Sequence, residues 1–145
     1  MASIDPECLV YLTNAVRHED AKIRAHAALA LARLKTNGFP AFPVLLTCLS
    51  DNDKSVRVNA VWALEEIAKT KPEVALPFLD DALHDTNTVA RLLILKILGG
   101  LGERARPAVP TILVSAKEKI SAVRDAAVKA LKQIQPEALK ELDGM

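Results

Sequence analysis

Four arginines, Arg24, Arg57, Arg91 and Arg124, recur at intervals of 33, 34 and 33 residues along a chain of 145. Each follows Ile, Val or Ala, and each opens a similar apolar stretch: IRAHAALALARL, VRVNAVWALEEI, ARLLILKILGGL and VRDAAVKALKQI. A sequence that repeats at this period folds as a stack of small supersecondary units. One unit alone leaves an apolar face bare, and its neighbour covers it. The period therefore decides the architecture before any other residue is read.

The segments before the arginines repeat as well. FPVLLTCLSDND, LPFLDDALHDTN and VPTILVSAKEKI align on Pro43, Pro77 and Pro110, and LVYLTNAVRHED aligns with them by its apolar positions, with Val10 in place of proline. Proline suits the first turn of a helix, where its missing N–H is not needed. First helices are thus expected near Pro6, Pro40 or Pro43, Pro72 or Pro77, and Pro107 or Pro110. Asp20, Asp53 and Asn87 each stand four residues before a repeat arginine and are expected N-caps of the second helices, with Ser121 in that role in the fourth copy. Asn37-Gly38 and Gly102 are expected to end second helices in the left-handed region.

Within each second helix, apolar residues follow the i, i+4, i+7, i+8, i+11 spacing of one helical face. The columns are Ile23, Ala27, Ala30, Leu31, Leu34; Val56, Ala60, Ala63, Leu64, Ile67; Ala90, Ile94, Ile97, Leu98, Leu101; and Val123, Ala127, Ala130, Leu131, Ile134. Half the residues are apolar but only 3% are aromatic, so this core is built from Ala, Leu, Val and Ile. The reading is an all-α single domain, 1–145, of about four two-helix repeats (about 5–36, 37–70, 71–103 and 104–135). Residues 136–145 form a terminal cap or the start of a fifth repeat.

Asp-x-x-Val-Arg followed by Ala-x-x-Ala-Leu-x-x-Ile, after a proline-started first helix, resembles the HEAT repeat in its short bacterial-type form. The resemblance covers about residues 5–135 and implies a right-handed α-α superhelix of the armadillo-like class. It does not by itself specify a task, because such folds serve many.

The bulk charge excludes little but narrows the partners. Lys plus Arg number 19 and Asp plus Glu 18, a formal +1. Residues 1–95 carry 10 basic and 12 acidic side chains, and residues 96–145 carry 9 and 6. This balance gives no field to concentrate nucleic acid or an anionic membrane. Cys8 and Cys48 lack CxxC spacing and read as reduced core residues. No apolar run has the length of a membrane span, and MASIDPE lacks the parts of a signal peptide, so a cytoplasmic protein is expected.

The arginine ladder is read as framework: each guanidinium, at the first turn of a second helix, can donate to neighbouring aspartates or carbonyls. Asp20, Asp53 and Asn87 belong to the same structural ladder. In solenoids resembling this one the second helices line the concave face, so the columns beside the core carry the functional question. These read Ala25, Val58, Leu92, Asp125; then Leu29, Trp62, Lys96, Lys129; then Ala32, Glu65, Gly99, Lys132. Leu29, Val58, Trp62 and Leu92, with Lys96 and Lys129 steering acidic neighbours, are the expected partner-binding residues for a helix or extended segment of another protein. Self-association through the same strip is the further option, and packing between second helices is its structural alternative.

No Gly-rich phosphate loop, Ser-His-Asp order or metal-ligand spacing is present, so no catalytic, cofactor or metal residue is assigned. The resemblance also brings enzyme readings. HEAT-type di-iron hydroxylases need several His-Glu pairs, and only His18-Glu19 matches. HEAT-like DNA glycosylases use tryptophans and an aspartate on a basic face, faintly echoed by Trp62, Asp125, Lys96, Lys129 and Lys132. Bilin lyases of the light-harvesting apparatus are short HEAT-like arrays forming two-subunit complexes. The expected function is a non-enzymatic protein-binding scaffold; the alternative is a bilin-lyase-like or other HEAT-type enzyme subunit.

Overall fold

Eight α-helices and four 3-10 segments make up a computed structural model that describes residues 4–144, and among these residues there is no strand. Residues 1–3 and 145, the extremes of the expected domain, of MASIDPE and of the terminal cap, lie outside the described residues. The helices alternate short and long: α1 (Pro6–Ala15) with α2 (Ala21–Leu34), α3 (Phe42–Thr47) with α4 (Lys54–Thr70), α5 (Pro72–Ala82) with α6 (Thr88–Leu101), and α7 (Val109–Ser115) with α8 (Ser121–Ile134). A 3-10 segment, Pro136–Leu142, follows α8 and packs on it.

The chain divides into two compact units, Met1–Lys71 and Pro72–Met145. In the first, α2 lies along α4, and α3 with the 3-10 segment Lys35–Ala41 closes one side. Its fully buried large side chains are Leu31, Phe42, Leu45, Leu49, Leu64 and Ile67. In the second, α6 lies along α8, with α7 and the 3-10 segment Gly102–Ala108 against them. Its core is Leu79, Ile94, Leu95, Ile97, Leu98 and Ile112. Burying each such side chain contributes about 1.5–3 kcal/mol, which supplies the drive that short helices lack in isolation.

The core columns of the second, third and fourth repeats are buried throughout. The first departs from expectation. Ile23 is exposed, and Ala30 and Leu34 are only half-buried, because α1 buries none of its own residues fully and covers α2 incompletely. Cys48 is buried as expected, but Cys8 lies on exposed α1.

Asp20, Asp53 and Asn87 occupy the N-cap positions of α2, α4 and α6. Asp20 accepts from the Lys22 amide, Asp53 from those of Ser55 and Val56, and Asn87 from that of Ala90. Ser121 is not a cap. The N-cap of α8 is Ile120, which has no side-chain acceptor, and Ser121 is the first helical residue. Pro77 lies inside α5 rather than at its start, which is Pro72. The chain leaves α6 at Gly102 with φ 58° and ψ −139°, a glycine conformation. At α2 the corresponding residue is Lys35, with φ 49° and ψ −124°, rather than Asn37-Gly38. Gly38 is instead held by a close approach, since a Cβ there would stand 2.9 Å from the Leu31 carbonyl oxygen.

Candidate partner-binding faces

Each arginine sits in the first turn of a second helix because the cap four residues earlier starts that helix at a fixed point. Arg24 grips Asp51 with two parallel bonds, Nε to Oδ2 at 2.8 Å and Nη2 to Oδ1 at 3.0 Å. Its Nη1 donates to the carbonyls of His18 and Glu19. Arg57 donates to the carbonyls of Asp51 and Asn52, and Arg124 to those of Glu118 and Lys119. Arg91 meets Glu118 through Nη2, while its Nε is buried without a hydrogen-bond partner. Fork-to-carboxylate geometry explains the difference, since two parallel bonds satisfy Arg24 where a single one leaves Arg91 short.

A second ladder, absent from the sequence reading, supports the caps. The amides of Asp20, Asp53 and Asn87 donate to the side chains two residues earlier: His18 Nδ1, Asp51 Oδ1 and Asp85 Oδ1. Such local side-chain bonds fix the turn before the helix. In the fourth repeat Glu118 occupies that position, before the uncapped Ile120. Asp51 thus serves Arg24 and Asp53 together. Burial raises its pKa, but the bonds from Arg24 and the Asp53 amide outweigh that, so its carboxyl lies below the ordinary value. Burial foremost, with the Asp51 charge beside it, pushes the Cys48 thiol up to about 11, so it is not a nucleophile near neutral pH.

In the first unit, Val58 and Trp62 lie one turn apart on α4 and are 56% and 39% exposed, values that put a large apolar surface in solvent. Leu29, on α2, is half-buried. Ala25 and Ala32, from the same surface columns, are buried, because α2 packs closely along α4. Asn59 crosses this seam and donates from Nδ2 to the Ala25 carbonyl at 2.8 Å. Nothing in the repeat pattern marks Asn59, which has Ala126 as its fourth-repeat counterpart.

In the second unit Leu92 is half-buried, whereas Lys96, Asp125, Lys129 and Lys132 are exposed. Gly99, also from the surface columns, is buried. A Cβ there would meet the Gln133 side chain of α8, so its place is a seam rather than a surface. His18, His26 and His84 are exposed, and among the described residues no three His, Cys, Asp or Glu side chains gather as metal ligands would. No helix among those residues is long and apolar enough to cross a membrane.

Comparison with known proteins bears on both units. The profile of a family described as HEAT repeats matches residues 9–99. An uncharacterized phycocyanin operon protein Y of Pseudanabaena tenuis is 30% identical over 125 residues, which are 83% of this chain. The chain spans 28% of that relative's length. Among solved structures, the complex of CpcE and CpcF of phycocyanin lyase from Nostoc sp. PCC7120 is similar at 25% identity and a TM-score of 0.62, over 97% of this chain and 91% of that one. A structure concerning TOG-tubulin binding specificity has a TM-score of 0.71 at 16% identity, over 92% and 60%. A designed armadillo repeat protein in complex with the peptide (KR)4 has a TM-score of 0.55 at 18% identity, over 88% and 64%. The last two likenesses concern the fold alone.

Proposed function

The chain belongs to the HEAT-repeat family, and from that premise we propose that it is a non-enzymatic interaction scaffold that holds another protein on the surface of its second helices. The observation that carries this reading is the exposed pair Val58 and Trp62 on α4. Isolated exposed apolar residues are ordinary, but an exposed tryptophan one turn from an exposed valine is the kind of anchor that interfaces use. On this reading Leu29, Val58 and Trp62 form the contact of the first unit. In the second, Leu92 supplies an apolar contact and Lys96 and Lys129 attract acidic groups of the partner. Arg24, Arg57, Arg91 and Arg124, with Asp20, Asp53 and Asn87, are framework that holds these helices in register. On this reading the scaffold works in the cytoplasm of a bacterial cell, and the Pseudanabaena relative supports the bacterial origin alone.

Iodide quenching of the single tryptophan tests the premise of the reading. Fluorescence of the free chain should be quenched by iodide and protected when partner is added. A tryptophan already shielded in the free monomer would remove the centre of the contact.

A second reading is supported by the likeness to the CpcE–CpcF complex, whose two chains assemble with each other. The partner is then another HEAT-type chain, and the pair is a bilin-lyase-like enzyme subunit assembly. Visible absorbance of freshly purified chain, alone and after incubation with bilin, separates the two readings. A bilin band that co-elutes with the chain supports the lyase, and colourless protein that still captures a protein partner supports the scaffold.

A further inference from the structure

A cavity of about 530 Å³ opens within the second unit, between α5 and the 3-10 segment Gly102–Ala108. This volume is that of a site for a small group rather than of a packing defect. Leu76, Pro77, Pro107 and Ala108 give it an apolar lining, and Glu73, Asp80 and Arg104 supply its charges. Two carboxylates against one guanidinium leave the lining with an excess negative charge.

Asp80 is the unusual member. Its Oδ1 is buried and has no hydrogen-bond partner. It also lies with Asp81 in the last turn of α5, where the helix carbonyls already concentrate negative charge and the turn itself carries no basic residue. An acceptor left in this state costs stability unless something outside the fold serves it. The first unit avoids the problem at the matching position, where the Thr13 hydroxyl donates to the Leu9 carbonyl of its own helix at 2.7 Å. A carboxylate cannot do this, because it has no proton to donate and the helix amides are engaged.

We propose that this cavity receives a lysine side chain from a segment of a partner protein. The four-carbon stem packs against Leu76, Pro77, Pro107 and Ala108, and the ammonium donates to Asp80, with Glu73 at the rim drawing it in. Because Oδ1 is closed to solvent, the carboxylate turns about its soft χ2 torsion to bring that oxygen to the ammonium. The site uses none of Leu92, Lys96 or Lys129, so it stands or falls separately from the second-helix contact.

The test is a titration of the ¹⁵N-labelled full chain with N-acetyl-lysine methylamide, against the norleucine derivative as the uncharged counterpart. Saturable shifts of the Leu76, Asp80 and Ala108 amides are expected, with the lysine compound binding roughly threefold or more tightly. In Asp80→Thr, which installs the first unit's residue, that preference should vanish while the melting temperature holds or rises. Equal binding of the two compounds by the wild type would overturn the proposal. So would a preference retained in Asp80→Thr, or a marked fall in its melting temperature, which would mean that the carboxylate serves its own fold.

Discussion

The two units are one design offset by 67 residues, with opposite surface chemistry. Leu31 and Leu64 correspond to Leu98 and Leu131, all fully buried, and Arg24 with Asp51 corresponds to Arg91 with Glu118. The surface columns diverge under the same offset. Leu29, Val58 and Trp62 in the first unit become Lys96, Asp125 and Lys129 in the second. The same core register therefore carries an apolar face in one unit and a charged one in the other. The core and the ladder determine where a column lies, and leave free what it carries. The proposed function rests on the columns that packing does not constrain.

The largest expected effect probes the shared part. Leu31→Ala and Leu98→Ala should each cost about 2–5 kcal/mol of stability by leaving a cavity, measured by denaturant unfolding. Closely similar losses would uphold the equivalence of the units, and a loss under about 1 kcal/mol in one would break it.

The connectors come next. Lys35 holds a backbone conformation that Gly102 adopts without strain. Lys35→Gly should stabilise the chain, and Gly102→Ala destabilise it, each by about 1–3 kcal/mol. Opposite signs of the change in melting temperature are the outcome that matters. A neutral Lys35→Gly would mean that the first connector is not strained.

The ladder should give a smaller and pH-dependent difference. The Asp51 carboxyl is held below its ordinary pKa, so its stabilising contribution is present above the unfolded aspartate value, about 3.9, and is lost as pH falls through the lower folded value. Asp51→Asn should remove this part of the acid sensitivity, seen as a flatter melting temperature against pH below about 4. Unchanged acid sensitivity in Asp51→Asn would contradict the assignment. Thiol labelling gives the smallest effect on the fold itself: exposed Cys8 should react with a maleimide at once, and buried Cys48 only on unfolding.

Much of this was legible in the sequence because it is periodic. The arginine spacing gives the helix pairs, and the residue four positions earlier gives three of the four caps. What the sequence hid depends on neighbours brought close only by folding. Ala25, Ala32 and Gly99 share helical columns with surface residues, but each is covered by the next second helix in its unit. Asn59 became visible only once the Ala25 carbonyl lay opposite it. Lys35 is hidden for another reason: lysine is a poor choice for a positive φ, so propensity pointed to Gly38. The unserved Asp80 oxygen likewise has no signature in the chain, since a carboxylate at a helix end is commonly solvated.

The central claim is that the apolar column of the first unit, rather than the charged column of the second, anchors the partner. Affinity capture from an extract of the source cells should compare the wild type with Trp62→Glu and Lys129→Glu, after equal melting temperatures have established that all three fold. The account predicts that Trp62→Glu loses the captured protein and Lys129→Glu retains most of it. Equal recovery by Trp62→Glu and the wild type would contradict it.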